Sequence, residues 1–505
     1  MVDLRLMIVV IESPYKAPAL KRALRANHID GKVIATNGRL FDLPPTEMGL
    51  TSTLNVERFE AVYPDHYESI KSDLMAPELV VATDPDEEGD MIAWTIAKLR
   101  GSSKTYRLDL FDFTDKSLAV AMENLRPVAT TEPPALARRI FDRLLGFSGN
   151  DGMFLSRSAG ALLGFASSSS LATSKTIESI RCQDADDGVA FCERFTDLHG
   201  NCVQFGTEKP GQLPRLKHLY ALAPELGVTP VAIFNALQEL YTGDDISYFR
   251  TDAMTLNQSA HEALARLSDE SGFENWSRRL PESSKAAHPG IYVTRYVDSP
   301  PDRWQRSPRK SQLAQKLHRY ICNSTLFAMS DPASRSRIRV VKGGKIFAAT
   351  SSECRGQTYS YPDTTFSLSD DILTGSPEPL TPHKCFEVNK ETSIALTLSS
   401  LDIGHPSSWA SLAKSYACLF DKNGRMSSRG VAFFHKHKTE APALLEPDVV
   451  KAIEAILLNP QIGREAKIQE ALSLAEINPA RFESRLTPEP GPDLEPSFES
   501  RNLGL

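Results

Sequence analysis

The stretch Glu78-Leu-Val-Val-Ala-Thr83-Asp84-Pro85-Asp86-Glu87-Glu88-Gly89-Asp90 decides the fold. Its apolar, β-branched first half predicts a strand buried on both faces. The acidic second half leads into a helix with Ile92, Ile96 and Leu99 on one side. Five carboxylates within residues 84–90 repel one another unless a cation or basic groups neutralise them. Hard oxygen ligands at a strand end suit Mg²⁺, so Asp84, Asp86 and Glu88 are read as its ligands. The alternative is an acidic, proline-containing turn in water.

Moving outward, Met7-Ile-Val-Val-Ile-Glu12 reads as a second buried strand, with Ser13 as N-cap and Pro14 opening a helix through Lys21 and Leu24. Glu12 thus falls at the carboxyl end of a strand, beside a helix N-terminus, where open α/β sheets place ligands. Further along, Gly243-Asp-Asp-Ile-Ser-Tyr248-Phe-Arg250-Thr-Asp252 is β-prone and sets a phenol and a guanidinium two residues apart. In a strand these point to one side and can face one phosphate together. By itself the stretch is equally an ordinary strand end with a packing tyrosine.

The chain has 505 residues, 41% of them hydrophobic and 24% charged, enough for several domains with buried cores. Its net charge of −7 does not by itself indicate a nucleic-acid binder, yet Arg138, Arg139 and Arg143 cluster on one segment. The seven cysteines form no C-x-x-C pair, which argues against a zinc ribbon and a disulfide framework. The N-terminal apolar run stops at Glu12, too short for a membrane span or a signal core. A cytoplasmic protein with no membrane partner is expected. There is no G-x-x-x-x-G-K-[ST] phosphate loop, so no use of ATP is expected.

Val-Ile-Glu12-Ser-Pro-x-Lys16, followed by Ala-Thr-Asp84-Pro-Asp86-x-Glu88-Gly, resembles the TOPRIM domain of type IA DNA topoisomerases. Asn37-Gly-Arg39-Leu-Phe-Asp42-Leu-Pro44 falls between them as a similar run does in that family, with Arg39 in place of a histidine. Ala137-Arg138-Arg139-Ile-Phe-Asp142-Arg143-Leu-Leu-Gly-Phe147 resembles the family's entry into a helical DNA-binding domain, with Ile140, Leu144 and Phe147 on the inner face. The resemblance implies Arg138, Arg139 and Asp142 as DNA contacts, with Phe147 at an aromatic position. Ser158-Ala159-Gly160 matches the start of the next motif, but Ala161 stands where an arginine is usual. Ala287-His288-Pro289 is similar to a further motif whose usual glutamate is replaced by Pro289. Leu401-Asp-Ile-Gly-His405-Pro-Ser407-Ser408-Trp409-Ala-Ser411 resembles the segment that returns to the helical domain. There Ser407, Ser408 and Trp409 are expected to touch phosphate and base, or one of the serines to cap a helix.

The resemblance implies a multi-domain α/β + α + β fold, in which a TOPRIM α/β domain, helical domains and a β-rich arch form a toroid that opens by a hinge. The expected domains are TOPRIM over 1–126, a helical DNA-binding domain from 127–178 and 389–487, a β-rich arch from 179–207 and 326–388, a helical domain carrying the tyrosine over 208–325, and a disordered tail over 488–505. No C-terminal zinc ribbon is expected. The implied activity is ATP-independent cleavage and resealing of one DNA strand by a monomer acting on single-stranded or underwound DNA. Tyr248 stands in the nucleophile's place. Lys16 and Arg250 are expected to stabilise phosphate charge, with Arg250 also touching DNA, and His288 to hydrogen-bond it. Glu12 is expected to move the proton, and Mg²⁺ to sit on Asp84, Asp86 and Glu88 with Glu12. Glu87 stands where the family has an arginine, which moves the local charge by about two units against the carboxylates beside it. A divergent protein that grips single strands without cleaving them is therefore the alternative, and another TOPRIM enzyme, a primase or nuclease, a further one.

Overall fold

The computed structural model of the chain describes residues 7–101, 103–147, 154–182, 190–195, 213–251, 253–256, 258–271, 289–294, 311–329, 334–342, 345–354, 357–359, 377–379, 384–487 and 497–499. The chain divides into two compact units, one of Met1–Ser168 with Ser428–Leu505 and one of Ser169–Ser427.

The first unit begins with β1 (Met7–Ile11), a 3₁₀ turn over Pro14–Lys16, α1 (Ala17–Ala26) and β2 (Gly31–Ala35). It continues through β3 (Phe41–Asp42), β4 (Arg58–Ala61), α2 (Pro64–Leu74), β5 (Glu78–Val81), α3 (Glu87–Arg100) and β6 (Lys104–Arg107). Then come α4 (Asp115–Glu123), β7 (Arg126–Pro127), α5 (Pro134–Gly146) and α6 (Arg157–Ser168). The main sheet runs β2-β1-β5-β6-β7, with only the β6–β7 pair antiparallel. Val9, Val10, Ile11, Leu79, Val80 and Val81 are all fully buried, which is why these strands read as unbroken apolar runs rather than alternating ones. From β1 the chain steps to one side for β2 and returns on the other side for β5, so the sheet's switch point lies between β1 and β5. A crevice at the carboxyl ends of these two strands is where such a sheet takes ligands.

The second unit contains β8 (Ser174–Cys182), β9 (Ala190–Phe195), α7 (Leu216–Tyr220), α8 (Ala223–Leu226), α9 (Pro230–Thr242), α10 (Gln258–Ser271) and α11 (Gln312–Met329). These are followed by β10 (Ser334–Lys342), β11 (Lys345–Cys354), β12 (Gln357–Tyr359), β13 (Pro377–Pro379), β14 (Lys384–Glu387), α12 (Lys390–Ser400) and α13 (Pro406–Tyr416). Pro230 opens α9, behind a Thr229 hydroxyl that accepts from the Ala232 N–H at 3.3 Å. Gly227 at φ 65° ends α8 in the left-handed conformation. β8 pairs with β9, β13 and β14, so segments almost 200 residues apart share one sheet. The β-rich region is thus assembled from separated segments, and it begins at Ser174 rather than 179.

The chain then re-enters the first unit as α14 (Ser428–Glu440), α15 (Pro447–Leu458), α16 (Arg464–Leu474) and β15 (Ser497–Glu499). Two expectations change here. The segment 389–487 is not one piece, since residues up to Ser427 belong to the second unit and those from Ser428 to the first. Within the first unit a Cβ at Gly160 or Gly164 would meet the carbonyl of Leu444 at 2.6 Å or of Leu445 at 1.7 Å, so α6 packs directly on the backbone after α14. The tail is not wholly without structure, because β15 pairs in parallel with β4, Phe498 opposite Phe59. An edge strand with open hydrogen-bonding groups recruits such a segment. The rest of the expected tail lies outside the described residues.

Candidate active site

The acid motif is built from the backbone outward. β5 delivers Asp84 to the carboxyl edge of the sheet, and the Asp84 carbonyl becomes a hub. It accepts from the Asp86 N–H at 2.8 Å and from the Arg107 guanidinium at 2.7 Å. Arg107, almost wholly buried, also donates to the Thr83 carbonyl at 2.8 Å and pairs with Asp90 at 2.9 Å. It fixes the loop at three points. The Asp86 carboxylate caps α3 by accepting from the Gly89 N–H at 2.8 Å. The Glu12 strand end joins through backbone bonds, since Thr36 N–H donates to Ile11 O at 2.9 Å and Gly38 N–H to Glu12 O at 3.0 Å. That turn, with Asn37 at φ 59° and Gly38 at φ 91°, carries Arg39 toward the acid loop.

The carboxylates are neutralised by basic side chains. Lys16, on the 3₁₀ turn after Ser13, pairs with Asp84, and both are almost wholly buried. Glu87 pairs with Arg138 at 2.6 Å, and Glu88 with Arg139 at 2.7 Å. Arg138 also approaches Glu88 at 3.6 Å, and Arg39 approaches it at 4.0 Å. Asp42 is shared between Arg39 and Arg139, the latter at 3.4 Å. Lysine and arginine thus pair with Asp84, Glu87, Glu88 and Asp90, while the Asp86 carboxylate accepts from the Gly89 N–H.

Among the described residues no group of three or more histidine, cysteine, aspartate or glutamate side chains is arranged to hold a metal ion. Glu12, Asp84, Asp86 and Glu88 therefore do not form a ligand set as they stand. Asp84 faces Lys16, Asp86 is turned into the helix cap and Glu88 is drawn toward Arg139. A Mg²⁺ ion would have to displace those cations at the cost of their ion pairs. Calorimetric titration of the DNA-free protein is expected to give no saturable heat at millimolar MgCl₂. Arg139→Gln, which removes the cation from Glu88, is expected to strengthen binding; a tight stoichiometric site in the unaltered chain would contradict the arrangement.

The arginine helix α5 presses on this loop from its own unit. Besides Arg138 and Arg139, Arg143 donates to the Pro44 carbonyl at 2.5 Å and stacks over Phe147 at 5.3 Å. Desolvation by burial lowers the Arg143 pKa, against the opposing pull of Asp42. Ile140 and Leu144 face the core as expected, but Phe141, Leu145 and Leu136 are buried as well, so α5 is enclosed on more than one face. Phe147 is half-buried. Asp142 receives both arms of Arg157, at 2.8 and 2.9 Å, and Arg157 also pairs with Glu454 at 2.8 Å. Ser158, Ala159 and Gly160 form the first turn of α6. Ala161 is fully buried against its own unit.

In the second unit Tyr248 is not in a regular strand; among the described residues the bridge beside it joins Ile246 to Val293. It is fully buried, edge-on to Tyr241 at 5.7 Å and tilted to Phe249 at 6.5 Å. Arg250 turns to a different set of neighbours, donating to Gln238 Oε1 at 2.9 Å and lying over the Phe234 ring at 5.3 Å. The expectation that both point to one side of a strand therefore fails locally. The aromatic ring pocket of α9 takes the phenol while Gln238 takes the guanidinium. His288 lies outside the described residues. The cap of α13 is His405, whose Nδ1 accepts from the Ser407 N–H at 3.3 Å, and neither Ser407 nor Ser408 holds that position. Ser408 Oγ donates to the His405 carbonyl at 2.8 Å. Trp409 is buried and donates to the Ile403 carbonyl at 2.8 Å, which removes it as a base-stacking surface.

One residue that organises the first unit escaped the sequence reading: Arg157, whose partners Asp142 and Glu454 lie 15 and 297 residues away.

Comparison with known proteins fits this geometry. Residues 7–112 match the Toprim domain family, and residues 166–364 match the DNA topoisomerase family. DNA topoisomerase 1 of Thermotoga maritima is 32% identical over 145 residues, and DNA topoisomerase 1 of Fervidobacterium islandicum 28% identical over 143. Each match covers 28% of this chain, and the chain spans only 22% and 20% of the length of these curated relatives. The solved structure of full-length topoisomerase I from Thermotoga maritima has the same fold, with a TM-score of 0.64 and 19% identity over 93% of this chain and 89% of that one. With the acid loop at the sheet's switch point, the arginine helix upon it and the two family matches in order along the sequence, this chain belongs to the type IA DNA topoisomerase family.

Proposed function

We propose that the chain is an ATP-independent topoisomerase that cuts one DNA strand through a 5′-phosphotyrosine on Tyr248, passes a strand through the break and reseals it, relaxing negatively supercoiled DNA. The observation that carries this reading is the match of residues 166–364, which include Tyr248, to the DNA topoisomerase family, joined to a Toprim acid loop in the same chain. In the forward step Tyr248 Oη bonds to phosphorus and gives up its proton to solvent, while the bond from phosphorus to the 3′ oxygen breaks. Protonated Glu12 supplies the proton that makes the leaving group a 3′ hydroxyl. Resealing reverses each transfer, so the phosphodiester energy is kept. Arg250 and Lys16 offset charge developing on the phosphate, with His288 as a hydrogen-bond donor. No step is routed through a metal ion, since the carboxylates do not form a ligand set in this arrangement.

The substrate in this reading is single-stranded or underwound DNA, and the acting species a cytoplasmic monomer. Arg39, Arg138, Arg139, Asp142, Phe147, the Ser158–Ala159–Gly160 turn, Arg250, Ser407 and Ser408 are the DNA contacts. Because Arg138 is held by Glu87, Glu87→Gln is expected to tighten binding of a short single-stranded oligonucleotide several-fold. The freed guanidinium should also steepen the dependence of log affinity on log salt by about 0.7. Unchanged affinity and slope would mean that Arg138 takes no part in binding.

The ion-paired state of Glu87 and Glu88 and the burial of Tyr248 favour one other reading, a protein of this family that grips single strands without cutting them. Supercoiled plasmid incubated with the full chain separates the two. Relaxed topoisomers together with a protein–DNA adduct trapped by detergent support the enzyme; retention of DNA with neither nicking nor relaxation overturns it.

A further inference from the structure

A cavity of about 460 Å³ lies in the first unit, and of the acid motif carboxylates Asp90 is on its wall. It is enclosed by α3, the segment from β7 to α5, and the loop leading into α16. Its apolar walls include Ala93, Trp94, Val128 and Pro133. Its charged lining is unequal. Arg107 has Asp90 at 2.9 Å, Arg126 has Asp109 at 3.1 Å, and Arg464 pairs with Glu132. Lys467 is different: it is 5% exposed, lines the cavity, and its ammonium has no hydrogen bond or ion pair among the described residues. Burial lowers its pKa, and the charge of Glu132 raises it by less.

A largely buried ammonium whose acting carboxylate, Glu132, is already paired with Arg464 is undercompensated, and an anion entering the cavity would supply the remaining charge. Cavities of this size, mostly apolar with one or two placed polar groups, are the usual form of a small-molecule site. The geometry points to a binding site for a small organic anion, its single carboxylate, phosphate or sulfonate head on Lys467 and its flat apolar body against Trp94, Val128 and Pro133. One wall of the site is Arg107, the same guanidinium that holds the carbonyls of Thr83 and Asp84, so the occupant and the acid loop share a side chain.

The test uses the full chain and 1-anilinonaphthalene-8-sulfonate, a sulfonate on a fused aromatic body, followed by its fluorescence. Sodium benzoate and thymidine 5′-monophosphate serve as competitors to separate carboxylate from phosphate heads. One saturable site is expected, displaced by at least one of the competitors. Lys467→Met, which keeps the side chain's length and removes its charge, should weaken it at least tenfold and raise the melting temperature. Lys467→Arg should retain binding. Ala129→Trp, which places bulk at an exposed wall residue, should abolish it while leaving the circular dichroism spectrum unchanged. Binding that is absent in the unaltered chain, or that survives both Lys467→Met and Ala129→Trp, overturns the site.

Discussion

Tyr248→Phe is expected to abolish the covalent DNA adduct and to lower plasmid relaxation by at least ~10⁴-fold, as loss of a nucleophile does, while leaving the protein folded. The substitution removes one oxygen and keeps the ring, so the edge-on packing against Tyr241 at 5.7 Å and the contact with Phe249 survive. The stability cost is that of one hydroxyl, about 1 kcal/mol. Tyr220→Phe and Tyr241→Phe are the controls, because both tyrosines are buried in the same unit and both should leave the adduct intact. Tyr220 is a poor nucleophile for a physical reason. Burial pushes its hydroxyl pKa well above the ordinary range, although Arg250 pulls the other way. If Tyr248→Phe still forms the adduct, or if a control abolishes it, the assignment of the nucleophile is wrong. A phenol at 0% exposure cannot touch a phosphate, so cleavage also requires Tyr248 to be uncovered first. Gel assays of adduct formation against time, with and without preincubation on DNA, would detect that step as a lag.

Gly89→Ala is expected to be the most damaging single change to the acid motif. A Cβ at Gly89 would sit 1.8 Å from the Asp84 carbonyl oxygen, well inside any tolerable contact. The neighbour is backbone and cannot swing aside. That carbonyl is also the one held by Arg107 and by the Asp86 N–H, so moving it breaks the loop's anchor. Overpacking against fixed backbone costs about 3 kcal/mol or more, which for a unit of this size lowers the melting temperature by roughly 6–12 °C. Gly146→Ala, at the end of α5, meets nothing within 4 Å and is expected to be neutral or slightly stabilising. Equal melting temperatures for the two variants would remove the argument that glycine is required for the loop's close approach.

Much of the first unit was legible because its signals are local. Two unbroken apolar runs ending in Glu12 and Asp84 specify buried parallel strands whose carboxyl ends lie together, and β1 and β5 do pair in parallel. Ser13-Pro14 marks a helix start where the sequence put it, as a 3₁₀ turn over Pro14–Lys16 that runs into α1. The α13 cap lies earlier than expected because the helix begins at Pro406, which puts both serines inside its first turn and leaves the cap position to His405, whose ring nitrogen accepts from the Ser407 N–H. The strand expected over Tyr248 does not form because a β-prone composition does not supply a partner; among the described residues of that stretch Ile246 alone bridges, to Val293.

By itself the sequence determined the order of the motifs, the crowding of five carboxylates at a strand end, and hence the need for positive charge there. It left open whether a metal ion or protein side chains would answer that need. Only the tertiary structure shows which side chains meet these carboxylates, because those groups lie far along the chain: Lys16 is 68 residues from Asp84, and Arg138 and Arg139 are each 51 residues from the glutamates they hold. Coulombic attraction acts on distance in space, and a one-dimensional pattern does not contain that distance. The same holds for Lys467, which shares the charge of Glu132 with Arg464, an arrangement visible only once α16, β7 and α3 have come together around the cavity.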